Sequence, residues 1–329
     1  MAGLSPQARE FINRFQGGFP IVERPFHGVA AKLGMRETVL IQTITELLDQ
    51  GVLSRFGPLY DATLLGGAVT LAALSAPEAD YGRIAETVNA LPAVAHNYRR
   101  EHALNMWFVV ASERAYGVRD ALGEIRRRTG LAVYDFPKLR EFYLGLWLDI
   151  DARDRVTTVP VPLTSAPDTT LPLPQDAARI VAATQGGLPL VVEPYARVAD
   201  ELGVPVSTLT AGLQRMLDAG AIRRIGAVPN HYRLGLRGNG MTVWDVPDNR
   251  VAEFGALIGG QPFVSHCYER PRHAGVWPYN LFAMVHGHDR SEVLDKSARL
   301  RELLGGDVRA HEVLFSSAVL KKTGLRLAA

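Results

Sequence analysis

Two segments of this chain concentrate residue types that can bind and protonate an anionic ligand. One reads Ala95-His-Asn-Tyr-Arg-Arg-Glu-His-Ala-Leu-Asn-Met-Trp-Phe, the other Ser265-His-Cys-Tyr-Glu-Arg-Pro-Arg-His-Ala-Gly-Val-Trp-Pro-Tyr-Asn-Leu-Phe. His96 matches His266 and Tyr98 matches Tyr268 at an offset of 170, and Asn105 matches Asn280 at 175. The five extra residues enlarge the second segment's loop, which carries Arg272, His273, Trp277 and Tyr279. Side chains alternate along a strand, so His96 and Tyr98 share one face, as do His266 and Tyr268. Such a cluster suits a flat, conjugated ligand bearing several carboxylates. Arginine forks onto carboxylate, and tryptophan or tyrosine stacks on a ring. A histidine beside ligand carboxylates should have a raised pKa, making it cationic near neutral pH and a proton donor. The plainer alternative is a solvated hairpin whose histidines only hydrogen-bond. No HExxH or CxxC spacing and no nucleophilic-serine motif occurs, which argues against a structural metal or a covalent hydrolase. A single histidine could still ligate iron if the ligand were a metallated macrocycle.

These hairpins sit in a scaffold written twice. Gln16-Gly-Gly-Phe-Pro-Ile-Val returns as Gln185-Gly-Gly-Leu-Pro-Leu-Val, and residues 16–61 align with 185–230 without a gap at 16 identities in 46 positions. The identities include Pro25/Pro194, Leu33-Gly34/Leu202-Gly203, Gly51/Gly220 and Gly57/Gly226, so the same turns recur. Each copy opens with helical periodicity. Val29, Ala30 and Leu33 line one helix, Gly34 ends it, and Val39, Leu40, Ile44, Leu47 and Leu48 line a second. Gly51 then leads into a strand, and Gly220 does the same in the second copy. Helix, turn, helix and wing make a winged helix-turn-helix. Strand and helix patterns in the order βαββαβ follow each wing, predicting an α+β fold with a ferredoxin-like unit in each copy. The expected layout is winged helix-turn-helix over 1–62, α/β sandwich over 63–150, proline-rich linker over 151–174, winged helix-turn-helix over 175–232 and α/β sandwich over 233–329. Each antiparallel sheet has helices on one face and leaves the other for pairing, so the two halves can pair within the chain.

A winged helix-turn-helix suggests DNA recognition, but the charge pattern opposes it. The segment Glu37–Asp49 holds no Lys or Arg, and Ser207–Ala219 holds only Arg215. With 36 Lys+Arg against 34 Asp+Glu, the chain lacks the basic surplus that gives counterion-release affinity. The helix-turn-helix is then expected as a packing unit, with no nucleic-acid partner. One cysteine, Cys267, excludes an intrachain disulfide and fits a reducing compartment. No signal-peptide pattern and no apolar run of membrane length occurs, so the expected location is cytoplasmic.

At the two hairpins the sequence resembles a known group. The repeated module is similar to the Lrp/AsnC family of regulators across nearly the whole chain. Within it, residues 96–108 resemble one subunit type of the siroheme decarboxylases, and 266–286 the other. The resemblance implies a fused two-subunit form in the formation of d-type heme, removing two acetate carboxyls of siroheme as CO2 with no added organic cofactor. Siroheme is then the small-molecule partner, its iron belongs to the substrate, and further homologous subunits or a homo-oligomer are compatible. By motif, the essential histidines fall on His96, His102, His266 and His273, leaving open which protonate substrate and which bind iron or propionate. Tyr98, Arg99, Arg100, Asn105 and Trp107 would bind substrate in the first copy. Tyr268, Arg270, Arg272, Trp277 and Asn280 would do so in the second. The first copy lacks the Trp-Pro-Tyr-Asn loop, so one productive site nearer the second copy is expected. An amino-acid-responsive transcription regulator is the alternative, and a non-catalytic tetrapyrrole carrier a third reading.

Overall fold

A computed structural model describes residues 3–162 and 166–322. The first copy opens with helices α1 (Pro6–Arg14), α2 (Pro25–Lys32) and α3 (Glu37–Asp49) and strand β1 (Leu53–Tyr60). Its α/β unit follows as β2 (Ala68–Leu74), α4 (Tyr81–Asn89), β3 (Val94–Arg100), β4 (Met106–Ser112), α5 (Gly117–Thr129) and β5 (Val133–Pro137). Three strands then lead onward: β6 (Arg140–Leu144), β7 (Trp147–Ile150) and β8 (Val156–Val159). The second copy repeats the first with α6 (Ala177–Thr184), α7 (Pro194–Leu202), α8 (Val206–Asp218) and β9 (Ile222–Pro229). It ends with β10 (Gly238–Asp245), α9 (Val251–Gly259), β11 (Val264–Glu269), β12 (Leu281–Gly287), α10 (Arg290–Leu304) and β13 (Ala310–Lys322).

The repeated residues recur because they set the same local geometry. Pro25 and Pro194 each occupy the first turn of their helix, where a missing N–H costs nothing. Gly34 and Gly203 both take a left-handed backbone just beyond those helices, at φ 63° and 66°. The wings do not project separately. β1 and β9 pair antiparallel, with Gly57 directly opposite its own repeat partner Gly226. All six helices of the two helix-turn-helix units pack into one core, with Phe11, Phe26, Phe56 and Leu40 beside Tyr195, Leu209, Leu213 and Ile225. The winged helix-turn-helix units expected separately over 1–62 and 175–232 are thus halves of one domain. Part of the expected linker is also ordered. β8 pairs with β7 as a hairpin, and Leu148, Ile150 and Val156 join that core. The β-branched run Val156–Val159 favours a strand, and the prolines begin only at Pro160. Residues 163–165 of the linker lie outside the described residues.

Nine strands form the main sheet, in the order β5-β2-β4-β3-β13-β10-β12-β11-β6. Each unit alone has the ferredoxin-like order, fourth strand, first, third, second. What joins them is the fourth strand. β13 pairs with β10 over Ala310–Phe315, then runs on to pair with β3 over Ser316–Lys322. Its counterpart breaks in two: β5 pairs with β2, and β6, two residues later, pairs with β11. The strand order therefore begins and ends on one stretch of chain, and the two sheets lie face to face. Helices α4 and α5 cover the outer face of one through Ile84, Val88, Leu122 and Ile125; α9 and α10 cover the other through Phe254, Ile258, Val293 and Leu300. Between the sheets a shared core draws Trp107 and Phe136 from the first copy and Val243, Trp277 and Phe282 from the second. No helix among the described residues is long and apolar enough to cross a membrane.

At the β1–β9 crossing the backbones of the two copies approach closely. A Cβ on Gly226 would stand 2.3 Å from the Phe15 carbonyl oxygen, and one on Gly57 2.8 Å from the Leu188 nitrogen. Gly226→Val should destabilise the chain by about 1–3 kcal/mol, the usual cost of overpacking. A denaturation midpoint equal to wild type would contradict this packing of the two copies.

Candidate active site

Between the facing sheets, beside the aromatic core and bounded by Phe282, lies a cavity of about 510 Å³ to which both copies contribute. That size lies within the range of small-molecule sites. β3 supplies His96, Tyr98 and Arg100, and β11 supplies His266, Tyr268 and Arg270 at the matched positions. The chain after the wings roofs it with Asp61, His231 and Tyr232. From His96 onward alternation places these side chains: Asn97 bonds Asn89 of α4 on the helix side, while His96, Tyr98 and Arg100 line the cavity.

The cavity is rich in cations. Arg100, Lys138, Arg223, Arg270 and Lys322 line it, against one acid, Asp61, which is paired with Arg223. Lys138 pairs with Glu141 at 2.6 Å. Arg100, Arg270 and Lys322 form no ion pair among the described residues. Arg100 donates from Nη1 to the Leu314 carbonyl at 2.6 Å, and Arg270 donates likewise to the Phe136 carbonyl. The Nε of each arginine is buried without a partner. Burial brings both guanidiniums down to about 10, still protonated at neutral pH. Burying charges without counter-ions is costly, so these two positions are ready-made seats for anions. Arg100 lies over the ring of Tyr98 at 5.9 Å, and Arg270 over Tyr268 at 5.0 Å.

The histidines are neutral in the ligand-free cavity. Burial lowers His96 to about 4, with Lys322 adding to the effect. Burial likewise lowers His266 to about 4, opposed by Glu141 and reinforced by Arg223 and Arg270. His231 falls to about 4 and His286 well below its ordinary value, both chiefly through burial. The protein's own groups therefore do not supply the expected histidinium. The carboxylates that would raise these pKa values must arrive with the ligand.

Six of the fourteen residues expected at the site meet in the cavity: His96, Tyr98, Arg100, His266, Tyr268 and Arg270. The other eight lie elsewhere. Arg99 points to the opposite face of β3, paired with Glu78 at 2.6 Å and stacked on Tyr81. Asn105 grips both backbone polar groups of Ala76, and Asn280 does the same for Val246, so the matched asparagines pin matched turns. His102 accepts from the Leu104 N–H and stands edge-on to Trp277, and His273 bonds the Asp135 carbonyl against Phe136. Trp107 and Trp277 are fully buried in the core between the sheets. Arg272 is taken up by Asp245 and Asp248. The enlarged loop thus folds inward as a plug, because its aromatic rings gain more from burial than from exposure at a hairpin tip.

Sequence reasoning missed His231, Asn239, Ser265 and His286, which gather beside His266. The signal was present in the repeat itself. Asn239 and His286 replace Val69 and Ala111, polar residues at positions that are apolar in the other copy. Among the described residues no group of three His, Cys, Asp or Glu side chains is placed to hold a metal ion.

Comparison with known proteins agrees over both copies. The family model described as the AsnC-like ligand binding domain matches residues 65–143 and 233–321, and the siroheme decarboxylase NirDL-like HTH domain matches 8–53 and 178–223. The siroheme decarboxylase of Hydrogenobacter thermophilus is 33% identical over 96% of this chain and 93% of its own length. The siroheme decarboxylase NirDL subunit of Paracoccus denitrificans is 31% identical, covering 96% of each. The NirH subunit of Stutzerimonas stutzeri is 60% identical over 46% of this chain and 89% of its own length. A crystal structure of the siroheme decarboxylase NirDL superposes with TM-score 0.71 and 29% identity, covering 98% of this chain and 92% of that one. Another, in co-complex with an iron-uroporphyrin III analogue, matches equally well.

Buried neutral histidines have a consequence for stability. Their folded pKa lies below the unfolded value of about 6.5, so between these values the unfolded chain binds more protons. Their contribution is complete above pH 6.5 and is lost as pH falls toward 4. Unfolding free energy should drop by about 1.4 kcal/mol per pH unit for each such histidine in that window. A denaturation midpoint that is flat from pH 7 to 5 would contradict the burial of His96, His231 and His266.

Proposed function

The chain belongs to the siroheme decarboxylase family, and on that footing we propose that its inter-sheet cavity binds siroheme and removes two of its acetate carboxyls as CO2. One observation carries the location: Arg100 and Arg270, matched on facing strands, are buried cations without acid partners, beside the matched His96 and His266. Carboxylates that the reaction retains supply the missing counter-charge. Tyr98 and Tyr268, on the same strand faces, flank the macrocycle.

The reaction needs a place for electrons and a proton. As the C–C bond to the carboxylate breaks, its electron pair stays with the methylene carbon and spreads into the conjugated ring. A new C–H bond then makes the methyl group. The proton comes from a histidine that the substrate has itself charged. Bound carboxylates raise His96 and His266 from about 4, so each takes up a proton on binding and can give it to the nascent methyl carbon. Proton donation is thus coupled to occupancy, and the empty site holds no misplaced charge on these rings. His102 and His273 support the hairpins rather than touch the substrate. The two halves, joined in one chain, provide both faces of the site, which does not preclude pairing with homologous subunits.

Anaerobic incubation with siroheme should give a product lighter by two carboxyl groups. A spectral change with unchanged product mass would instead indicate a carrier. His266→Ala should lower turnover while keeping the fold, whereas His102→Ala should chiefly lower stability. Wild-type turnover in His266→Ala would remove that residue from the mechanism.

Calorimetric binding at pH 7 in buffers of different ionisation enthalpy should show proton uptake. Arg100→Ala or Arg270→Ala should weaken binding on the order of 10- to 100-fold, as expected for one charged hydrogen bond. No net proton uptake, or unaltered affinity in both variants, would count against the site.

A further inference from the structure

The two matched histidines differ in what stands behind them. A β-bulge interrupts β11 between Val264 and His266, and the equivalent bulge interrupts β3 between Val94 and His96. In the second copy the bulge residue is Ser265, whose Oγ lies 2.7 Å from His266 Nδ1 and 2.7 Å from His286 Nε2. His286 Nδ1 in turn lies 2.5 Å from Asn239 Oδ1. The first copy has Ala95, Ala111 and Val69 at these three positions. Nδ1 of His96 is buried without a hydrogen-bond partner.

The direction of this chain can be read from its far end. The Asn239 amide nitrogen donates to the carbonyls of Leu236 and Arg237, at 3.2 and 3.3 Å, so its oxygen faces His286. An amide oxygen only accepts, so His286 carries its proton on Nδ1. Neutral His286 then offers a lone pair at Nε2, and the Ser265 hydroxyl donates to it. Having spent its proton there, Ser265 accepts from His266 Nδ1–H. His231, whose ring lies 5.0 Å from the His286 ring, packs against the same end.

We propose that Asn239, His286 and Ser265 are positioning residues that hold His266 as the Nδ1–H tautomer, with a basic Nε2 turned to the cavity. This rests on the decarboxylase reading above and assigns the proton-carrying atom. When substrate binds, the proton is taken up at Nε2, where the reacting methylene can reach it, and not at the ring's buried side. As CO2 leaves, the C–C electron pair remains with the methylene carbon, the Nε2 proton forms the new C–H bond, and His266 returns to the same neutral tautomer. A solvent proton reloads it, and no oxidant or reductant is consumed. His96, lacking any such chain, is not held in one tautomer by the protein. The first copy's hairpin therefore has the histidine without its orientation.

Nitrogen-15 NMR of the ligand-free full chain, labelled at histidine and assigned with His266→Asn, reads the tautomer directly. Wild type should show His266 as Nδ1–H. Ser265→Ala, which installs the residue that the first copy already tolerates in its bulge, should move the ring toward Nε2–H. The same variant should lower kcat by about 10- to 100-fold, the range for outer partners of a functional histidine, with KM nearly unchanged. Ser265→Thr, which retains the hydroxyl, should restore both readouts. A wild-type His266 found as Nε2–H, or Ser265→Ala with wild-type kcat, would overturn the proposal. Because the tautomer is read without substrate, it decides the relay even if the wild-type chain releases no CO2. That second result would sink the reading of function instead.

Discussion

Everything in this molecule depends on the fourth strand of each α/β unit outrunning its own sheet. A ferredoxin-like sheet ends on an edge strand with unpaired N–H and C=O groups, and such an edge must be covered or it invites aggregation. Here β13 pairs along the edge of β3, and β6 pairs along the edge of β11. The two edges so covered are the strands that carry His96 and His266. Pairing thus satisfies the backbone and seals the inner faces from bulk water. The cavity exists because the strands that close the fold also wall the site.

Closure sets the electrostatics. A surface arginine is solvated and needs no partner; Arg100 and Arg270 are enclosed, each held by one backbone carbonyl and left with a bare Nε. The cost of burying them is met by the large cores on either side of the sheets. It leaves buried cations for which a polycarboxylate is the matching counter-charge. The same enclosure discharges the histidines, so a single cause prepares both anion binding and a proton uptake that waits for the substrate.

The duplication is symmetric in backbone and asymmetric in side chains. Both copies keep the bulge, the paired histidines, the arginines and the asparagine-pinned turns. They differ at the three positions behind the histidine and in the loop that ends the hairpin. The enlarged loop of the second copy fills space: Trp277 and Tyr279 are buried in the shared core. Divergence in chemistry lies at Asn239, Ser265 and His286, where a small or apolar residue has given way to a polar one.

The repeat and the order of elements in each module were legible in the residues themselves, because turns, caps and alternation are local. Local periodicity also told which side chains share a face, and so grouped His96 with Tyr98 and His266 with Tyr268. It did not reach the run of β13 onto β3 or the separate strand β6, whose pairing partners lie over a hundred residues away. The same alternation puts Arg100 on the face of His96 and Tyr98 and Arg99 on the other; which of those faces meets the second sheet is not a local property. His102, His273 and the two tryptophans have the right chemistry for a site, yet they lie outside the cavity lining, the tryptophans in the core and the histidines bonded to backbone. That outcome is decided by packing between the copies. Sequence determined which residue types the hairpins carry; only the closed pair of sheets decided which of them line the cavity and how far burial lowers the histidine pKa values.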